Sequence, residues 1–261
     1  ARYGDAGKVA AERDVTAAVL GINKSTEREG QDRFTLELPI DQQEFIKELY
    51  KVNPNTVVVL VAGSSLAVNW MDENVPAILN AWYPGEQGGN AVAEVLFGDY
   101  NPGGRLPLTY YNSLDEIPAF DNYSVKGRTY QYFEGQPLYE FGYGLSYTKF
   151  RYKSKGVNVE QDTVKVSFEV SNTGKYDGDE VAQVYVKYPE TVTYMPFKQL
   201  HGFKRVHIKK GKTSKVTIGV PRKDLRYWDE QERKFVTPKG EYTFMVGASS
   251  EDIKFRETVG L

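Results

Sequence analysis

Hydrophobic positions along the first hundred residues come in two kinds of run. Residues 14–22 are rich in Val, Ala and Leu and read as a buried strand, and residues 56–62 (TVVVLVA) form an unbroken β-branched run. Such a run marks a strand covered on both faces of a parallel sheet. Between them, residues 41–52 place Phe45, Ile46 and Leu49 on one helical face, after a capping-box start at Asp41 with Glu44 three positions on. Residues 76–82 predict a further strand. Asn90 is placed to cap a short helix (AVAEVLF) that stops at Gly98. This alternation argues for an α/β layer.

From about Tyr152 the period changes to two. Val164, Val166, Phe168 and Val170 alternate with polar residues, as do Ala182, Val184 and Val186, then Val216, Ile218 and Val220, then Tyr242, Phe244 and Val246. Turn clusters at 160–162, 172–174, 210–211 and 238–240 separate them. Short strands at this spacing predict a β-sandwich of immunoglobulin or fibronectin type. The fold class is therefore α/β plus all-β: a partial α/β sandwich at 1–115, a linker or long-loop region at 116–150, and a fibronectin-III-like β-sandwich at 151–261. The chain opens as if inside a domain, the mark of a piece of something longer.

Composition narrows the chemistry. Net charge is −2 with both signs scattered, which favours neither nucleic acid nor an anionic membrane as partner. No apolar run approaches the ~20 residues of a membrane span. Without cysteine there are no disulfides or thiolate metal sites, and two histidines, His201 and His207, do not suffice for a multi-histidine centre. Both lie in strand-like sequence and read as packing or surface residues. Glycines at 85, 88 and 89 lack phosphate-loop spacing, and close helix–strand packing accounts for them. Ser64 and Ser65 follow Gly63 but form no nucleophile elbow. Arg128 and Tyr130, in an aromatic-rich segment, fit either a sugar site or an interdomain contact. The densest chemistry is in residues 25–33 (STEREGQDR), on a loop that leaves a predicted strand. Ligands of open α/β sheets meet the protein at such loops, and a carboxyl group there is a natural general acid or base.

Several blocks together resemble the C-terminal half of family 3 glycoside hydrolases: EREGQDR, AILNAWYPGEQGG, AVAEVLFGDYNPGGRLPLTYY, GRTYQYF, PLYEFGYGLSYTKF and SNTGKYDGDEVAQVYV. The resemblance implies a retaining exo-β-glycosidase whose nucleophilic aspartate lies on an N-terminal barrel, outside this chain. It implies that the second domain supplies the acid/base glutamate. A Thr-Glu-x-x-Gly pattern matches Thr26, Glu27 and Gly30 and points to Glu27. A glutamate directly before glycine points to Glu29. Glu27 comes first and Glu29 second, with Arg33 expected to pair with Asp32. The resemblance also implies an oligosaccharide or aryl glycoside as substrate, with residues 117–133 closer to β-xylosidases than to β-glucosidases. It implies no cofactor, since protonation and carboxylate attack need none; some members bind calcium or other cations, but no EF-hand-like spacing or oxygen-rich cluster in this sequence calls for a metal. A homodimer is an open assembly state, and a periplasmic or secreted setting is favoured over the cytoplasm. A reading from another class is a non-catalytic carbohydrate-binding or interaction module.

Overall fold

The computed structural model describes residues 3–190 and 195–261. The chain forms two compact units. The first runs to Phe97 and includes Tyr110–Ala119 and Gly135–Tyr139, and the second comprises Gly98–Thr109, Phe120–Glu134 and Glu140–Leu261. The stretch at 116–150, expected as a linker, is thus shared between them.

In the first unit, helix α1 (Gly4–Ala11) precedes strand β1 (Thr16–Gly21), helix α2 (Ile40–Val52), strand β2 (Thr56–Val61), helix α3 (Asn69–Asn74), strand β3 (Ile78–Asn80) and helix α4 (Gly88–Phe97). The strands form a parallel sheet in the order β1-β2-β3, with Thr16 opposite Thr56 and Val58 opposite Ile78. Successive side chains alternate between faces of a strand. Ala18 and Leu20 of β1 and Val58 and Leu60 of β2 therefore share one face, packed with Ile46 and Leu49 of α2 in a single core. Among the described residues β1 pairs with β2 alone, and Val19, on the face away from Ile46 and Leu49, is 65% exposed.

Two helix starts also differ from expectation. Pro39 takes the N-cap position of α2, so Asp41 lies inside the first turn and its carboxylate accepts from the amide of Gln42 at 3.0 Å. An acid there still opposes the positive end of the helix dipole. α4 starts at Gly88, so Asn90 is internal and its side-chain amide donates to Gln87. Gly85 has φ 68°, and a Cβ on Gly88 would stand 2.5 Å from Pro84. Turn geometry, not helix–strand packing, sets these two glycines. Gly98, with φ 84°, ends α4 as expected.

The second unit is the fibronectin-III-like sandwich, preceded by the single-turn helix α5 (Thr129–Tyr132). Strands β4 (Phe150–Val159), β5 (Thr163–Asn172) and β8 (Thr213–Pro221) form one antiparallel sheet in the order β4-β5-β8. The other sheet has the order β12-β11-β6-β7, from β6 (Gly178–Lys187), β7 (Gln199–Ile208), β11 (Glu241–Gly247) and β12 (Ile253–Gly260). A hairpin of β9 (Tyr227–Asp229) and β10 (Lys234–Val236) is separate from both. The inward-facing Val164, Val166, Phe168 and Val170 of β5 join Val184 and Val186 of β6, Ile218 and Val220 of β8, and Tyr242 and Phe244 of β11 in one core.

Candidate active site

In a parallel sheet all carboxyl ends lie at one edge, and three loops leave the sheet there. The loop after β1 holds the charged segment. Asn23 shapes its start: its carbonyl accepts from the amides of Thr26 and Glu27, and its side chain accepts from the amide and hydroxyl of Ser25. The chain then reverses. The amides of Arg28 and Gln31 each donate to the other's carbonyl, at 3.1 and 2.9 Å, in a two-residue hairpin turn. Glu29 and Gly30 form its tip, and Gly30 supplies the positive φ of 74° that a type II turn needs at its second central residue.

The two candidate glutamates have different environments. The Oε2 of Glu27 is 2.7 Å from the Nε of Arg33, and the Ser64 hydroxyl stands 2.8 and 2.7 Å from its two oxygens. Its side chain is 26% exposed, and that of Arg33 only 9%. The Nη2 of Arg33 also donates to the Ser65 carbonyl at 2.8 Å, while Nη1 is buried without a hydrogen-bond partner among the described residues. Glu29 is exposed at the hairpin tip, and no hydrogen bond or ion pair ties its carboxylate to the described residues.

The pairing of Arg33 corrects the sequence reading, which joins it to Asp32. Neighbouring residues of an extended segment project to opposite sides. The turn at 28–31 instead brings the residues flanking it together. Ser64, which the sequence gives no role, lies just past the carboxyl end of β2, and that position was its only signal.

Nearby, the Tyr110 hydroxyl accepts from the Asn80 amide at 3.0 Å. Burial pushes its pKa up to about 12, against the opposing pull of Asn80 and the Arg33 cation. An open cavity of about 420 Å³ flanks the hairpin, lined in part by Ser25, Gln31, Asp32, Arg33 and Phe34. Phe34 is 97% exposed. Among the described residues no group of three or more His, Asp or Glu side chains is arranged to hold a metal ion, and no helix is long and apolar enough to cross a membrane.

Arg128 and Tyr130 belong to the second unit. Tyr130 stacks on Phe141 at 4.3 Å, meets Tyr185 edge-on, and its hydroxyl accepts from the Leu200 amide at 3.0 Å. Arg128 donates from Nη2 to the Asn122 carbonyl at 3.0 Å. These contacts fix the segment around α5 within its own unit.

Fold and site define a class: a parallel α/β unit that presents a carboxylate from the carboxyl edge of its sheet, together with a fibronectin-like sandwich. The pattern of the Glycosyl hydrolase family 3 C-terminal domain matches residues 2–147, more than half of the chain, and that of the Fibronectin type III-like domain matches 180–250. The chain belongs to glycosyl hydrolase family 3.

Its relatives carry both sugar names. It is 41% identical over 225 residues to a xylan 1,4-beta-xylosidase of Xylanibacter ruminicola, covering 85% of this chain and 26% of that protein. It is 37% identical over 264 residues to a beta-glucosidase of Kluyveromyces marxianus, covering 95% and 31%. The crystal structure of the latter with glucose superposes with a TM-score of 0.92 at 35% identity, covering 99% of this chain and 33% of that one. The chain thus spans about a third or less of the length of these relatives.

Proposed function

We propose that this chain is the acid/base-bearing part of a retaining exo-β-glycosidase acting on xylo-oligosaccharides, with Glu29 as the proton donor. The observation that supports this reading is the contrast between the two glutamates. A general acid must carry its own proton to the leaving oxygen and later accept one from water. Glu29 stands at a hairpin tip, and neither of its oxygens has a hydrogen-bond or ion-pair partner among the described residues. Glu27 has both oxygens engaged, by Ser64 and by Arg33.

A retaining mechanism needs a second carboxyl group about 5–5.5 Å from the first, across the scissile bond. That group is the nucleophile of an N-terminal barrel joined to this chain. It attacks the anomeric carbon while Glu29 protonates the departing oxygen. Glu29, now a carboxylate, then takes a proton from the water that frees the sugar.

Xylose is preferred because the beta-xylosidase of Xylanibacter ruminicola shares more identity with this chain than the beta-glucosidase of Kluyveromyces marxianus does, 41% against 37%. A hydroxymethyl group is all that separates the two sugars, and a pocket distinguishes such a group by only about 1–3 kcal/mol, so glucoside turnover accompanies it. The test is hydrolysis of nitrophenyl β-xyloside and β-glucoside by the chain alone and by the chain joined to its barrel. Turnover confined to the joined protein and faster on the xyloside is expected. Turnover by the chain alone contradicts the two-part site, and saturable sugar binding without turnover by the joined protein favours a binding module.

A further inference from the structure

From the base of the hairpin we infer that Ser64, acting through Glu27 and Arg33, is a positioning residue for the proton donor. The inference rests on the assignment of Glu29 above.

A two-residue turn between short arms is held by few bonds of its own; here they are the paired amides of Arg28 and Gln31 and a long 3.4 Å bond from the Gln31 side-chain amide to the Ser25 carbonyl. Isolated hairpins are marginal in water. What fixes this one is the pair closing its base. Glu27 immediately precedes the hairpin and Arg33 follows it, so their 2.7 Å contact bridges the two arms. That bridge is in turn bolted to the loop after β2, by the Ser64 hydroxyl on Glu27 and by the Ser65 carbonyl on Arg33. β2 is the central strand of the sheet, with Val58, Val59 and Leu60 buried. The path from the rigid sheet to the tip carboxylate is therefore continuous: β2, Ser64, Glu27, hairpin, Glu29.

The chemistry gives Ser64 a distinctive signature. Protonation of the leaving oxygen matters most when that oxygen is a poor leaving group, as in a disaccharide. A dinitrophenolate departs without help. A displaced acid therefore slows the disaccharide and spares the activated aryl glycoside, whereas a general loss of folding slows both alike. Misplacement by about 1 Å can cost about 100-fold.

The experiment uses the chain joined to its barrel and compares Ser64→Ala, Ser64→Thr and Glu29→Ala on xylobiose and dinitrophenyl β-xyloside. Ser64→Ala should lower kcat/KM on xylobiose by about 10- to 100-fold while changing the aryl substrate by less than about threefold. Ser64→Thr, which keeps the hydroxyl, should restore most of the xylobiose rate. If Glu29→Ala is strongly selective against xylobiose while Ser64→Ala slows both substrates equally or neither, Ser64 does not position the donor. If Glu29→Ala itself shows no selectivity, the assignment of Glu29 has failed, and the role of Ser64 falls with it.

Discussion

The Nε of Arg33 stands 2.7 Å from the Oε2 of Glu27, joining the residues on either side of a hairpin whose tip is Glu29. The arginine in this pair is almost fully enclosed. Removing the negative partner leaves a guanidinium with little water to replace it.

Glu27→Gln should accordingly destabilise the α/β unit by about 1–3 kcal/mol, the cost of losing a charge-assisted bond to a buried group. Urea unfolding followed by fluorescence in a Trp228→Phe background, which leaves Trp70 and Trp82 of that unit as the reporters, measures it. A change within about 0.5 kcal/mol, as for an ordinary surface substitution, would show that the pair carries no structural load.

A second buried pair makes a sharper case in the sandwich. Arg105 donates from Nη2 to Glu180 at 2.7 Å, with side chains 8% and 3% exposed. The Tyr152 hydroxyl donates to the other Glu180 oxygen at 2.6 Å. Burial, reinforced by the Glu180 charge, holds the Tyr152 phenol far above its ordinary value, so it remains a donor at any working pH. Glu180→Gln should cost about 3–5 kcal/mol, because a buried cation loses its counter-charge. Arg105→Met combined with Glu180→Met and with Tyr152→Phe, so that no buried hydroxyl is left without its acceptor, should recover much of that loss in thermal unfolding. A triple variant no better than Glu180→Gln would overturn this reading of the pair.

His201 gives the sandwich a pH dependence of definite sign. Burial lowers its pKa below 6.5, outweighing the pull of Asp224, and its Nε2 lies 3.0 Å from the Tyr188 hydroxyl. The folded state therefore binds fewer protons than the unfolded chain. Stability from this group is complete above about pH 6.5 and is lost as pH falls below it, by at most about 1.4 kcal/mol per pH unit. Urea midpoints at pH 7.5 and 5.5 should differ less in His201→Gln than in the parent. An equal difference in both would remove His201 from the explanation.

How much of this was legible in the sequence depended on burial. β5, with Val164 to Val170, showed its alternation because it is the central strand of its sheet. β7 and β12 border the other sheet, and along β12 partly buried residues alternate with exposed ones. With no fully buried residue in β12, its hydrophobic signal was too weak to single out. The α/β order was readable from the β-branched run of β2, which is buried in the parallel sheet.

At the site, the loop and its two glutamates were visible as a charge cluster on a strand end. What separates Glu27 from Glu29 was not, since it depends on Ser64, 37 positions away along the chain. Gly21 is a similar case. Its amide and carbonyl both bond the side-chain amide of Gln42 at 2.8 Å, and an added Cβ would collide with the Val61 carbonyl. Tertiary partners of this kind have no local signature.

On the assignment proposed above, the hairpin tip and not its base carries the proton. Azide discriminates between the two glutamates, because a small anion can attack a glycosyl-enzyme intermediate without a general base. Glu29→Ala and Glu27→Ala, each in the chain joined to its barrel, are assayed on dinitrophenyl β-xyloside with and without azide. Azide should accelerate Glu29→Ala strongly and yield xylosyl azide, while Glu27→Ala, which keeps the tip carboxylate but loosens the hairpin that holds it, should yield far less. Azide rescue of Glu27→Ala, with none for Glu29→Ala, would overturn the assignment.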